Sequence, residues 1–339
     1  MSAETKRLVL VVGVGRSGTS LLTGMLGQAG FHIPQPEVKA DDTNPRGFGE
    51  PQWVVDLHQR LLRARRITVN DSRPAAWAST GAVADDEAVR SEVRDWLRTQ
   101  FAAADTVVVK DPRTVWFLPL WRRCADDLGI ATSFVTMLRH PAEIVASARK
   151  SYGTWQTDAS RAAAWLNVTL ETERLTRGTQ RAFVGYERLL QEWESELQRV
   201  GRLLDIPLLA GIDRERFPQV DAFVDPTLHR NRVTWADLDV PERVRVMAED
   251  VWQQITALAR EDGDAEPARA GLDSSRAAFG ELYAEAEAIA QSTITAAKPR
   301  RRRRAPAPAP ASLRVRIARR VPLRYRRGLR RAVRSLRPS

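Results

Sequence analysis

The chain has 339 residues, 43% of them hydrophobic, enough to pack one large α/β domain or two smaller ones. The net charge of +11 is lopsided: Lys298–Ser339 carries 17 Lys plus Arg and no acidic residue, so the preceding 297 residues hold 36 basic against 42 acidic, a balance of −6 that makes a nucleic-acid-binding body unlikely on charge grounds. No apolar run reaches the roughly 18 residues of a membrane span, and the stretch Leu8–Val14 runs into glycines rather than a signal-peptide cleavage site. A single cysteine, Cys124, rules out a disulfide within the chain and suggests a cytoplasmic protein.

In chain order, Arg7–Val14 reads as a strand covered on both faces, because its apolar run is continuous. Ser17–Gly30 follows as a helix with Leu21, Leu22, Met25 and Leu26 inward. The proline-rich stretch from Ile33 to Trp53 lacks periodicity and reads as a loop. Trp53–Arg65 is helical, and Ser79–Phe101 is a second helix, acidic early and basic late as the helix dipole favours. "TVVVKDPR" is a strand, "LPLWRRCADDLG" a helix, "TSFVTMLRHP" a strand and Ala142–Ser151 a helix. Ser160–Arg177 is a helix, "QRAFVGYERLL" a strand leading into another helix, and Arg243–Ala290 is helical. Strands alternate with helices, which predicts a P-loop-type three-layer α/β sandwich around a parallel sheet, with ligands at the carboxyl ends of the strands. That domain is expected over 1–297, an Arg/Pro/Ala-rich linker over 298–312 and a basic tail over 313–339.

The chemistry-bearing residues fall at those strand ends. In "GVGRSGTS", Gly13 and Gly18 have phosphate-loop spacing, but Thr19 stands where a nucleotide-binding lysine belongs, and Arg16 carries the positive charge instead. Such a loop holds phosphate through the backbone and side chains of Gly15, Arg16, Ser17, Gly18, Thr19 and Ser20 and through the helix N-terminus. Lys110 ends the second strand; Arg139 ends the third, with Ser147 eight residues on, an arginine and a hydroxyl suited to a second phosphate. Taken singly, Lys110 could equally be a salt bridge and Arg139 a solvated strand-end charge.

Together these segments resemble the sulfotransferase superfamily, whose donor is 3′-phosphoadenosine 5′-phosphosulfate (PAPS). "GRSGTSLL" is similar to the 5′-phosphosulfate loop of bacterial and Golgi-type members, and "LRHPAEIVAS" to the 3′-phosphate motif. "NPRGFGE", "KDPR" with "LPLW", "VGYERLL" and "FVDPTLHR" resemble a bacterial branch associated with surface polysaccharides. Two positions depart from the pattern: a glycine replaces an aromatic in "GFGE", and "RHP" replaces Arg-Asn-Pro or Arg-Asp-Pro. The resemblance implies sulfuryl transfer from PAPS to a hydroxyl, most simply on a carbohydrate, glycolipid or polysaccharide precursor, with no metal required. It implies that Arg16 and Lys110 bind the phosphosulfate, that Tyr186 lines the nucleotide pocket and that Arg230 and Arg232 close over the 3′-phosphate. It also implies a carboxylate general base, for which Glu50 and Glu37 are the candidates, with Glu50 preferred and His58 and Asp56 behind them. A kinase or a non-catalytic scaffold is the alternative.

In the tail, Leu313, Ile317, Val321, Tyr325, Leu329, Val333 and Leu336 recur every three or four residues among arginines. This pattern predicts a basic amphipathic helix, broken at Pro322, suited to an anionic membrane surface on the inner face of the cell membrane.

Overall fold

Alternation places Leu8, Leu10 and Val12 on one face of the first strand and Val9 and Val11 on the other, and both sets are buried. A strand of this kind must be covered on both sides. In the computed structural model, which describes residues 6–41, 44, 47–153, 155–225, 233–260 and 265–297, it lies inside a four-stranded parallel sheet. The strands are β1 (Arg7–Val12), β2 (Thr106–Lys110), β3 (Ala131–Leu138) and β4 (Gln180–Gly185), in the order β2-β1-β3-β4. Val11 is level with Lys110 on one side and Val135 on the other, so the carboxyl ends of the three strands open onto one edge.

The helices of the first half are α1 (Thr19–Gln28), α2 (Gln52–Arg65), α3 (Ala76–Gly81), α4 (Glu87–Ala103), α5 (Leu118–Asp126), α6 (Pro141–Tyr152) and α7 (Asp158–Leu175). The second half adds α8 (Tyr186–Gln191), α9 (Trp193–Leu203), α10 (Pro207–Ala210), α11 (Pro218–Phe223), α12 (Glu242–Arg260), α13 (Glu266–Ile289) and α14 (Gln291–Ala297). The chain divides into two compact units, Met1–Ala286 and Glu287–Ser339. The sheet and the strand-end loops belong to the first. Of the second, only the end of α13 and α14 are described, and the predicted linker and basic tail lie outside the described residues.

Helices α2, α4 and α5 cover β1 and β2 through Val54, Leu57, Val93, Leu97 and Trp121. On the same face, α7, α12 and α13 cover β3 and β4 through Trp165, Val251, Leu272 and Phe279 around Leu138 and Phe183. The opposite face is covered by α1, α8 and α9, with Leu22, Met25, Leu189 and Leu197 against Val9, Val135 and Val184. This is the three-layer arrangement expected from the sequence. A wholly buried Glu173 on α7 binds Arg177, Arg181 of β4 and Arg276 of α13, tying the layer together.

Four predicted elements differ. The strand expected over "QRAFVGYERLL" stops at Gly185, where α8 begins with Tyr186. The first strand ends at Val12, because Gly13 turns the backbone to φ 139°. The helix expected over Ser79–Phe101 is cut at Asp86, whose carboxylate accepts from the N–H groups of Ala88 and Val89 and starts α4 afresh. The long C-terminal helix is two, α12 and α13, the second opening with Pro267 in its first turn.

Candidate active site

The loop after β1 is shaped by positive φ at Gly13 (139°), Arg16 (75°) and Gly18 (101°). A Cβ on Gly13 would lie 2.8 Å from the carbonyl oxygen of Met137, so β3 passes too close for any side chain. Arg16 has no such licence. A left-handed arginine costs about 1 kcal/mol or more, and its Nε donates to Ser147 Oγ at 3.0 Å. Helix α1 starts with no side-chain cap at Gly18 and no acidic residue in its first turn. The positive end of its dipole therefore faces the loop uncompensated.

Arg139 leaves β3 toward the same loop. Its Nη1 donates to the Arg16 carbonyl at 3.4 Å, its Nε to Glu143 at 2.7 Å, and its guanidinium lies 4.6 Å from the centre of the Tyr186 ring. His140 explains the departure in "RHP". Its Nδ1 accepts from the Ala142 N–H at 3.3 Å and caps α6, the part an Asn or Asp side chain would take, while Nε2 meets Glu249 at 3.0 Å. Helix α6 then carries Ser147 back to Arg16.

Lys110, 2% exposed at the end of β2, donates to Ser20 Oγ and the Phe48 carbonyl, both at 3.0 Å, and to Glu50 Oε1 at 2.6 Å. Burial pushes the Glu50 carboxyl above its usual range, and the Lys110 ammonium offsets that only in part. Just behind, Asp111 is fully buried and accepts from His58 Nδ1 at 2.7 Å. Trp121 Nε1, which can only donate, meets His58 Nε2 at 2.9 Å, so the imidazole accepts there and carries its proton on Nδ1.

A cleft of about 830 Å³ joins these groups. Gly15, Arg16, Gly18, Thr19, Ser20, Glu50, Lys110, Arg139, Ser147 and Tyr186 all line it, so most of the predicted site comes together. Ser17 turns inward, 1% exposed, and its Oγ has no hydrogen-bond partner among the described residues. Glu37 is not among the lining residues; its carboxylate accepts from Gln35 at 2.5 Å and its backbone pairs with Pro51. His58 is wholly buried with both ring nitrogens engaged, and Asp56 points to solvent beside Gln52. Arg230 and Arg232 lie outside the described residues. Cys124 is buried, its thiol pushed up to about 11 by desolvation, which makes it inert.

The lining also includes residues the sequence reading passed over: Arg113, Lys150, Asp41 and Asn70. Two had a signal. Arg113 is the arginine of "KDPR", and Lys150 stands one helical turn beyond Ser147, on the same face of α6.

Two solved structures are similar at low identity. One is the sulfotransferase domain from the Synechococcus PCC 7002 olefin synthase, with 16% identity, a TM-score of 0.43, and coverage of 74% of this chain and 95% of that one. The other is the sulfotransferase domain from the curacin biosynthetic pathway, with 14% identity, a TM-score of 0.43, and coverage of 75% and 99%. No curated protein matches the chain. The model of the Sulfotransferase family matches residues 9–210, which takes in β1 to β4 and the loops that bear Arg16, Lys110 and Arg139. With more than half of its length matched, the chain belongs to the Sulfotransferase family.

Proposed function

We propose that this sulfotransferase takes its sulfuryl group from PAPS and passes it to a hydroxyl of a carbohydrate, glycolipid or polysaccharide precursor. The observation that carries the reading is the convergence of Arg16, Lys110, Arg139 and Ser147, from three strand ends, on one cleft that also holds a buried carboxylate. The residues fit such a donor. The uncapped N-terminus of α1 faces the loop, and Arg16 and Lys110 supply charge for the phosphosulfate. Arg139 and Ser147 fit the 3′-phosphate, with the ring of Tyr186 under the guanidinium.

In the reaction the acceptor oxygen forms a bond to sulfur as the bond from sulfur to the bridging phosphate oxygen breaks. The hydroxyl proton passes to Glu50, and the negative charge left on adenosine 3′,5′-bisphosphate is held by Lys110 and Arg16. Glu50 is favoured over Glu37 because it lines the cleft at 2.6 Å from Lys110.

Calorimetric titration with adenosine 3′,5′-bisphosphate in the absence of magnesium tests the donor assignment. Wild type is expected to bind and Arg139→Ala to bind about tenfold to a hundredfold more weakly, the worth of a charged hydrogen-bond pair. A wild type that ignores the bisphosphate and binds ATP only with magnesium would sink the reading in favour of a kinase. Binding without any transfer of labelled sulfate from PAPS would leave a scaffold. We further assign residues 313–339 to docking on anionic membrane from the cytoplasmic side. Deleting them should abolish co-sedimentation with phosphatidylserine vesicles; unchanged pelleting would refute it.

A further inference from the structure

The cleft has two walls. On the donor side Arg16 bonds Ser147 and Arg139 bonds the Arg16 carbonyl, while Lys110 bonds Ser20 at the start of α1. Arg113 belongs elsewhere. Its side-chain and backbone N–H groups both go to Asp111 Oδ1, at 2.6 and 3.2 Å. The turn that follows it is fixed by Trp116, whose Nε1 donates to the Val69 carbonyl at 3.1 Å, and Val69 and Asn70 form that part of the lining. Helix α2 supplies both the buried partner of Asp111, His58, and, two residues before its start, Glu50. Arg113 therefore shares a wall with the candidate base.

The support behind Arg113 is extensive for one side chain that is 23% exposed. Asp111 is fully buried, and burial alone would push its carboxyl up; the hydrogen bond from His58 and the nearby charge of Arg113 hold it below the usual range instead. Behind it, His58 is locked by Trp121 and stacked on Phe117 at 5.0 Å. A relay of four side chains, Trp121 to His58 to Asp111 to Arg113, thus ends on a guanidinium that gives one N–H to Asp111 and lines the cleft.

We propose that Arg113 binds an oxyanion on the acceptor, so that the hydroxyl to be sulfated belongs to a molecule already carrying a carboxylate, phosphate or sulfate, and that Asp111 and His58 are its positioning residues. This rests on the donor reading above, which assigns Arg16, Lys110, Arg139 and Ser147 to PAPS. An acidic sugar fits: one hydroxyl at Glu50, its anionic group at Arg113.

The test saturates the protein with adenosine 3′,5′-bisphosphate and measures binding of glucuronate, glucose 6-phosphate and methyl glucoside by ligand-observed NMR. Wild type is expected to hold at least one of the two anions about tenfold tighter than methyl glucoside, and the better anion tells carboxylate from phosphate. Arg113→Ala should erase the preference, Arg113→Lys should restore part of it, and both should keep the wild-type affinity for the bisphosphate. Neither anion binding better than methyl glucoside in wild type, or Arg113→Ala weakening the bisphosphate as Arg139→Ala does, overturns the proposal. A wild type that fails to bind the bisphosphate fells the donor reading and this inference with it; a wild type that binds the bisphosphate but shows no anion preference fells this inference alone.

Discussion

Glu50→Gln is expected to lower sulfuryl transfer by about 10²–10⁴-fold, the usual worth of a positioned general base, while adenosine 3′,5′-bisphosphate still binds. Glutamine keeps an oxygen for Lys110 and the volume of the site, but it cannot take a proton from the acceptor. The pH profile separates this role from a structural one. Glu50 acts as the carboxylate, so activity falls as pH drops through its pKa, and burial has moved that pKa above the ordinary 4.5. The acid limb should therefore lie higher than for an exposed glutamate and should vanish in Glu50→Gln. Lys110→Met behaves differently. It leaves Glu50, 8% exposed, without its cation, so about 3 kcal/mol of stability should go with the activity. A Glu50→Gln enzyme with unchanged turnover would return the base to Glu37.

The second large effect is expected at Gly18. A Cβ there would lie 2.9 Å from Cε2 of Tyr186 and closer still to Cδ2, at a φ of 101° that L side chains avoid. Gly18→Ala must push the ring away, and the ring is what lies under Arg139. We expect a stability loss of about 1–3 kcal/mol and binding of adenosine 3′,5′-bisphosphate weaker by about tenfold or more, as for loss of a charged contact. Gly30→Ala is the control. Its φ is 92°, but nothing lies within 4 Å of the added carbon. It should cost stability through the backbone alone and leave binding intact, as read by thermal melts and calorimetry. Equal binding losses in both variants would show that Tyr186 does not support Arg139.

The sheet was legible because Leu8–Val12 and Val107–Val109 are unbroken apolar runs that only a doubly covered strand accommodates. The cations we assign to the donor were legible for a related reason: they sit at the ends of those runs, and parallel topology brings strand ends together. The residues we assign to the acceptor were not. Arg113 is a cleft residue only because Asp111 turns it there, and Asp111 is held by a histidine 53 positions earlier and, through it, a tryptophan on α5. Such a chain of contacts has no period and no fixed spacing. Glu37 and Glu50 were likewise inseparable in sequence, since both lie in one aperiodic stretch. What separates them is the backbone pairing of Val38 with Glu50 at 2.8 Å, which leaves one carboxylate toward Lys110 and the other toward Gln35. His140 shows the converse: an unfamiliar residue in a familiar motif proves to serve the same capping purpose by another atom.

The order of the chain has a consequence for how such an enzyme changes partners over time. Phe48, Glu50, Val69 and Asn70, which line the part of the cleft we assign to the acceptor, all come from the single connection between β1 and β2, whereas Arg139, Ser147 and Tyr186 come from after β3 and β4. Substitutions and insertions between residues 31 and 105 that keep Phe48, Glu50 and His58 in place can therefore remake what is sulfated while Lys110 keeps its partners and the residues after β3 and β4 are inherited untouched.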